Sequence, residues 1–134
     1  MCADRIKILL VEDDGDTAFA LSMLLSVEGF EVIRAGNVAE GYDDALAAAP
    51  NLVITDIEMP ILSGLDLIRL FKQNSRLADI PIIAMSALAR NRLQLARANG
   101  AAAVYQKPLD YERLIAAIKN LLPRSGLAVA GKGP

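Results

Sequence analysis

The chain has 134 residues, 54 % of them hydrophobic, and a formal net charge of −2. That length suits one domain with a core that needs no disulfide or structural metal, and no apolar run is long enough to cross a bilayer. Cys2 is the lone cysteine and there is no histidine, which excludes a disulfide framework, Ser-His-Asp hydrolysis, His-ligated zinc and an internal phosphohistidine.

Short β-rich runs alternate with amphipathic stretches along the whole chain. A first strand is expected over Ile6–Val11 and a helix after Asp14 or Asp16, carrying Phe19, Leu21, Leu24 and Leu25 and stopping at Gly29. Glu31–Ala35 reads as a second strand. Asn37 with Glu40 three residues on is a capping-box pattern opening a helix that Pro50 closes. Leu52–Asp56 is a third strand, and Ser63 with Asp66 starts the next helix in the same way. Pro81–Ser86 is a fourth strand, followed by a helix from about Leu88 to Asn99 that lacks a clear N-cap and stops at Gly100. Ala102–Gln106 completes the strands. Asp110 caps a last helix with Leu114, Ile115, Ile118, Leu121 and Leu122 on one stripe, ending at Pro123.

Five βα units in succession predict an α/β fold: a flavodoxin-like, doubly wound, five-stranded parallel sheet, order 2-1-3-4-5, in a three-layer αβα arrangement with five helices. The continuously apolar first, third and fourth runs suit central strands covered on both faces, and the mixed second and fifth suit edges. Residues 1–123 form the expected domain. Residues 124–134, Gly- and Ala-rich without periodicity, are expected to be a disordered tail or linker remnant. Asp4, Arg5 and Lys7 interrupt any signal pattern, so a reducing, cytoplasmic setting is expected.

In a parallel sheet all strand C-termini share one edge, where such folds bind ligands. That edge collects Glu12, Asp13 and Asp14 from the first strand, Asp56 from the third, Ser86 from the fourth, and Lys107-Pro108 from the fifth. Asp14 and Asp16 are sufficiently explained as helix caps, and Ser86 or Lys107 alone would be ordinary. Glu12, Asp13 and Asp56 together repel one another unless a cation sits among them. Oxygen-only ligands suit a hard ion such as Mg²⁺, with Mn²⁺ as an alternative. A metal held this way can also take the oxygens of a phosphoryl group, with Asp56 as the carboxylate nucleophile, Lys107 as a second positive charge and Ser86 as a donor.

The same residues resemble the receiver domains of two-component response regulators, the CheY-like superfamily. The likeness covers about residues 5–122. It rests on Ile8-Leu9-Leu10-Val11-Glu12-Asp13-Asp14, on Leu52-Val53-Ile54-Thr55-Asp56-Ile57-Glu58-Met59-Pro60 with Gly64, and on Pro81-Ile82-Ile83-Ala84-Met85-Ser86-Ala87, Gly100-Ala101 and Lys107-Pro108. The resemblance implies that Asp56 is the phosphoacceptor and that Glu12, Asp13, Asp56 and the backbone carbonyl of Glu58 hold Mg²⁺. It implies that Ser86, Ala87 and Lys107 bind the phosphoryl group and that the Lys107–Pro108 peptide is cis, which proline allows at small cost. The donor would be a phosphohistidine on a histidine kinase or histidine phosphotransfer protein. The chain would be a signalling switch that catalyses its own aspartyl phosphorylation and dephosphorylation.

One position departs from the family. An aromatic residue usually stands three places before the lysine, where this chain has Val104, with Tyr105 one place later. Switching is therefore expected to run from Ser86 through Val104 packing or a shifted Tyr105. The family's output surface is the fourth helix, fifth strand and fifth helix, here containing Arg90, Arg92, Arg97, Arg113 and Lys119. Residues 1–86 carry a net charge of −8 and residues 87–134 one of +6. An acidic downstream partner at that face is expected, in a monomer or phosphorylation-dependent dimer, although plain solvated helix faces account for the same charges. An acidic chain with no Trp is a poor nucleic-acid binder. Glu58 and Leu88 would flank the line of water attack, the apolar Leu88 limiting it, while the Glu58 side chain itself reads as an unremarkable loop acid.

Two rivals are weaker. A flavodoxin-type redox protein would need a Ser/Thr/Gly-rich loop where Glu12-Asp13-Asp14 stands. A haloacid-dehalogenase-type phosphatase could use Asp14-Gly15-Asp16, but leaves Asp56 and Lys107-Pro108 less well explained. Within the family a stand-alone response regulator is expected, with a receiver from a hybrid kinase or transcription regulator as the alternative.

Overall fold

The computed structural model describes residues 5–88 and 90–122, so the expected tail at 124–134 lies outside the described residues. Five strands, β1 (Lys7–Val11), β2 (Glu31–Ala35), β3 (Leu52–Asp56), β4 (Ile82–Ser86) and β5 (Ala103–Gln106), alternate with five helices. The helices are α1 (Gly15–Val27), α2 (Val38–Ala48), α3 (Gly64–Lys72), α4 (Arg90–Ala98) and α5 (Tyr111–Leu121). All pairings are parallel and the strand order is 2-1-3-4-5, as the alternation of elements predicts.

Side chains that alternate along each strand divide the core into two layers. Leu9, Val11, Val53, Ile82 and Ala84 point to the face covered by α2, α3 and α4, where they meet Val38, Ala45, Ile68, Phe71, Leu93 and Ala96. Ile8, Leu10, Leu52, Ile54, Ile83 and Met85 point to the opposite face, under Ala18, Leu21 and Leu25 of α1 and Leu114, Ile118 and Leu122 of α5. The central strands β3 and β4 are buried along their whole length, whereas the edges β2 and β5 are only part-buried.

The helix ends follow local chemistry. Asp14, Asn37, Ser63 and Asp110 are the N-caps of α1, α2, α3 and α5, each accepting from a backbone N–H in the first turn. Ser63 and Asp66 complete a reciprocal capping box. In α2 the return bond differs from the expected pattern: the Glu40 carboxylate accepts from Gly36 N–H at 2.7 Å instead of from its own cap. One part of the apolar reading of α1 is corrected. Leu21 and Leu25 are buried, but Phe19 is 56 % exposed, because it sits on the helix face opposite the sheet.

Candidate functional site

Backbone ladders carry rigidity one residue past the strand ends. Glu12 N–H donates to the Ala35 carbonyl at 3.0 Å, Ile57 N–H to Met85 at 2.8 Å, and Lys107 N–H to Ser86 at 2.9 Å. The polar side chains at this edge therefore start from backbone already tied into the sheet.

Glu12 and Asp56 are buried, while Asp13 is exposed at the mouth. One carboxylate oxygen from each of the three lies within 4.8 Å of the others. The Lys107 ammonium bridges the buried pair, donating to Glu12 Oε1 and to Asp56 Oδ2, both at 3.1 Å. The remaining oxygens accept from backbone: Glu12 Oε2 from Asp14 N–H at 3.1 Å, and Asp56 Oδ1 from Glu58 N–H at 3.3 Å. The Lys107–Pro108 peptide is cis.

The electrostatics record a site short of positive charge. Burial pushes the Glu12 carboxyl above its usual range; the Asp14 N–H opposes that shift, the charge of Asp56 adds to it, and Lys107 opposes it again. For Lys107, burial alone would favour the neutral amine. Its hydrogen bonds to Asp56 and Glu12, with their charges, outweigh that cost and hold the ammonium above its usual value. One lysine thus faces two buried acids with a third at the rim, and the all-oxygen donor set is what a hard divalent cation takes. Glu12, Asp13 and Asp56 fit such an ion.

Ser86 is buried at the end of β4, but its hydroxyl is engaged: it donates to Glu58 Oε2 at 2.5 Å and accepts from Leu88 N–H at 3.0 Å. Ala87 N–H donates to the other Glu58 oxygen at 3.1 Å, and Arg92 Nε lies 3.8 Å from Glu58 Oε2. The reading of the Glu58 side chain as an unremarkable loop acid is therefore corrected. Nothing in the linear spacing shows this contact, since residues 58 and 86 meet only when β3 and β4 pair.

Asp14 does not join the acid cluster. Its carboxylate accepts from both the hydroxyl and the N–H of Thr17, bonds that hold it below the usual carboxylate range, and Asp16 is exposed. Asp14 is the cap of α1, and Asp16 lies in the first turn of that helix and not at its cap. Val104 is half-buried against the layer of α2, α3 and α4, and Tyr105 against the layer of α1 and α5. Both line a groove with Arg97, Arg113 and Asn120. Of the basic residues expected together there, Lys119 instead pairs with Glu28 beside α1, at 3.5 Å, and Arg92 turns to Glu58. The Arg90 side chain lies outside the described part. Leu88, expected to shield the site from water, is 51 % exposed.

An open parallel sheet with an acid pair just past β1, an aspartate ending β3, a hydroxyl ending β4 and a lysine after β5 is the arrangement of a receiver domain. Residues 8–119 match the family model described as the response regulator receiver domain, and the chain belongs to that family. It is 33 % identical over 117 residues to the polar-differentiation response regulator DivK of Brucella anthropi, covering 87 % of this chain and 95 % of that protein. Its Brucella ovis counterpart is 32 % identical over the same length and shares. Among solved structures, the chemotaxis protein CheY4 of Vibrio cholerae superposes with a TM-score of 0.82 at 25 % identity, covering 89 % of this chain and all of that one. The response regulator TrrA of Thermotoga maritima, solved in complex with Mg²⁺ and BeF, gives 0.78 at 30 % identity, with coverage of 87 % and 98 %. Among the described residues no helix is long and apolar enough to cross a membrane.

Proposed function

We propose that this receiver takes a phosphoryl group onto Asp56 from a phosphohistidine on a histidine kinase or histidine phosphotransfer protein. The observation that carries this reading is the bridge of Lys107 between Glu12 and Asp56, with Asp13 at the rim. It positions Asp56 while leaving the acid cluster short of one cation. Glu12, Asp13, Asp56 and the Glu58 carbonyl would hold Mg²⁺, which when bound would supply charge neutralisation for phosphoryl oxygens.

In the transfer, an Asp56 carboxylate oxygen forms the new P–O bond. The P–N bond of the donor breaks, and its electron pair returns to the imidazole nitrogen, which is protonated from solvent. Lys107 balances charge on the acceptor side, while Ser86 Oγ and Ala87 N–H are the donors available to phosphoryl oxygens. Hydrolysis of the acyl phosphate returns the Asp56 carboxylate and inorganic phosphate. None of these 134 residues is a histidine, so the donor histidine lies outside them. The groove of Val104, Tyr105, Arg97 and Arg113 is the face offered to a downstream protein with acidic character.

The test is incubation with acetyl phosphate and Mg²⁺, followed by intact mass measurement. One added phosphoryl group is expected, lost on chelation and in Asp56→Asn. Labelling that persists in Asp56→Asn would overturn the assignment.

A further inference from the structure

The Glu58 carboxylate sits where an incoming anion would look for donors. Its two oxygens take the Ser86 hydroxyl at 2.5 Å and the Ala87 N–H at 3.1 Å, a short, charge-assisted pair of bonds. The direction of the Ser86 proton is determined: Leu88 N–H donates to Ser86 Oγ at 3.0 Å, so the hydroxyl hydrogen is the one committed to Glu58. Both donors that the function proposed above assigns to phosphoryl oxygens are thus occupied by a side chain of the protein.

A second contact shows where that side chain can go. Arg92 Nε, on α4, is buried without a hydrogen-bond partner among the described residues, and it lies 3.8 Å from Glu58 Oε2. That separation is too long for a hydrogen bond and short enough for one to form by a small rotation of Glu58. A buried donor left unsatisfied is costly, so Arg92 gains from any movement of Glu58 toward it.

We propose that Glu58 is a built-in stand-in for the phosphoryl group, and that phosphorylation of Asp56 evicts it from Ser86 and Ala87 onto Arg92. A phosphoryl group brings close to two negative charges next to the Glu58 carboxylate. Repulsion, competition for two shared donors and the unpaired Arg92 Nε all act in the same direction. The exchange leaves no donor unpaired and adds one hydrogen bond: phosphoryl oxygens take the Ser86 and Ala87 donors, and Glu58 takes the Arg92 donor. Its consequence is a link from the site to α4 through residues 58 and 92, in a chain whose residue 104 is valine. The inference rests on the phosphoacceptor reading of Asp56.

The test uses beryllofluoride as the phosphoryl mimic, at saturating Mg²⁺, with affinity measured on the full chain. Glu58→Gln keeps the shape but lacks the charge and the second acceptor, and is expected to tighten beryllofluoride binding about tenfold. Arg92→Gln is expected to weaken it severalfold in the wild-type background and to have no effect in Glu58→Gln, because the two residues act as a pair. The Arg92 Nε–H resonance should shift on beryllofluoride addition in the wild type and stay in place in Glu58→Gln. Unchanged or weaker binding in Glu58→Gln, or an Arg92→Gln effect that persists without Glu58, overturns the inference and leaves the phosphoacceptor reading intact. Failure of the wild-type protein to bind beryllofluoride or accept phosphate overturns both.

Discussion

A methyl group added to Gly64 would sit 2.4 Å from the backbone carbonyl oxygen of Asp56. Gly64 is the first residue of α3, and its N–H donates to the Ile57 carbonyl at 2.9 Å, so this helix start is pressed directly against the end of β3. The nearest neighbours of that methyl are backbone atoms, including the Ile57 Cα at 2.9 Å, and they cannot rotate away. Gly64→Ala is expected to cost about 2–3 kcal/mol in urea unfolding, in the range of core overpacking. It should also slow acetyl-phosphate labelling, because relieving the clash displaces Asp56.

Among the described residues, Lys107 is the one cation within hydrogen-bond reach of both Glu12 and Asp56. Lys107→Met keeps the length and apolar stem of the side chain while removing the charge. In the metal-free protein at neutral pH this leaves two buried acids facing each other, and a loss of about 1–2 kcal/mol is expected. Mg²⁺ should then raise the Tm of Lys107→Met by more than it raises that of the wild type, since the ion stabilises whichever form needs it more. Equal shifts in the two proteins would contradict the electrostatic account of the site.

Asp13 is the exposed member of the acid cluster and makes no hydrogen bond that supports the fold among those described. Asp13→Asn is therefore expected to leave metal-free stability within about 0.5 kcal/mol of wild type. Its affinity for Mg²⁺ should fall by about tenfold or more, as the loss of a charged ligand from a hard-cation site requires. Titration of Mg²⁺ followed by Tm or by tyrosine fluorescence separates the two effects.

Among the described residues, two that bear side chains occupy the left-handed region that favours glycine. Ala49 has φ 50° at the C-cap of α2, and Ile61 has φ 71° in the loop between β3 and α3. Ile61 is fully exposed, so truncating it loses no burial, and its β-branched side chain makes the conformation worse. Ala49→Gly and Ile61→Gly should each stabilise the protein, by about 0.5–1 kcal/mol, measured as a rise in the urea midpoint at constant m.

The elements and their order are legible in the linear pattern of residues. Strand bounds read from apolar runs agree with the structure to within a residue, because central strands buried on both faces must be apolar throughout. The cap residues Asp14, Asn37, Ser63 and Asp110 were legible for a local reason: each satisfies backbone N–H groups two or three residues away. The site edge followed as well, since a parallel sheet brings every strand C-terminus to one side, and Glu12, Asp13, Asp56, Ser86 and Lys107 are among the polar residues there.

Tertiary structure alone decided which of those groups touch. Lys107 reaches Glu12 across 95 residues of chain and Asp56 across 51, so the bridge depends on register and side-chain reach rather than on any local pattern. The same holds for the outward face of Phe19, for Lys119 turning to Glu28 at the C-cap of α1, and for Arg92 turning away from the basic set on α4 and α5. Glu58 is the clearest case. Two residues past Asp56 it reads as a loop acid, and only the pairing of β3 with β4 puts its carboxylate on the Ser86 hydroxyl, because side-chain contacts between strands are set by packing and not by sequence spacing.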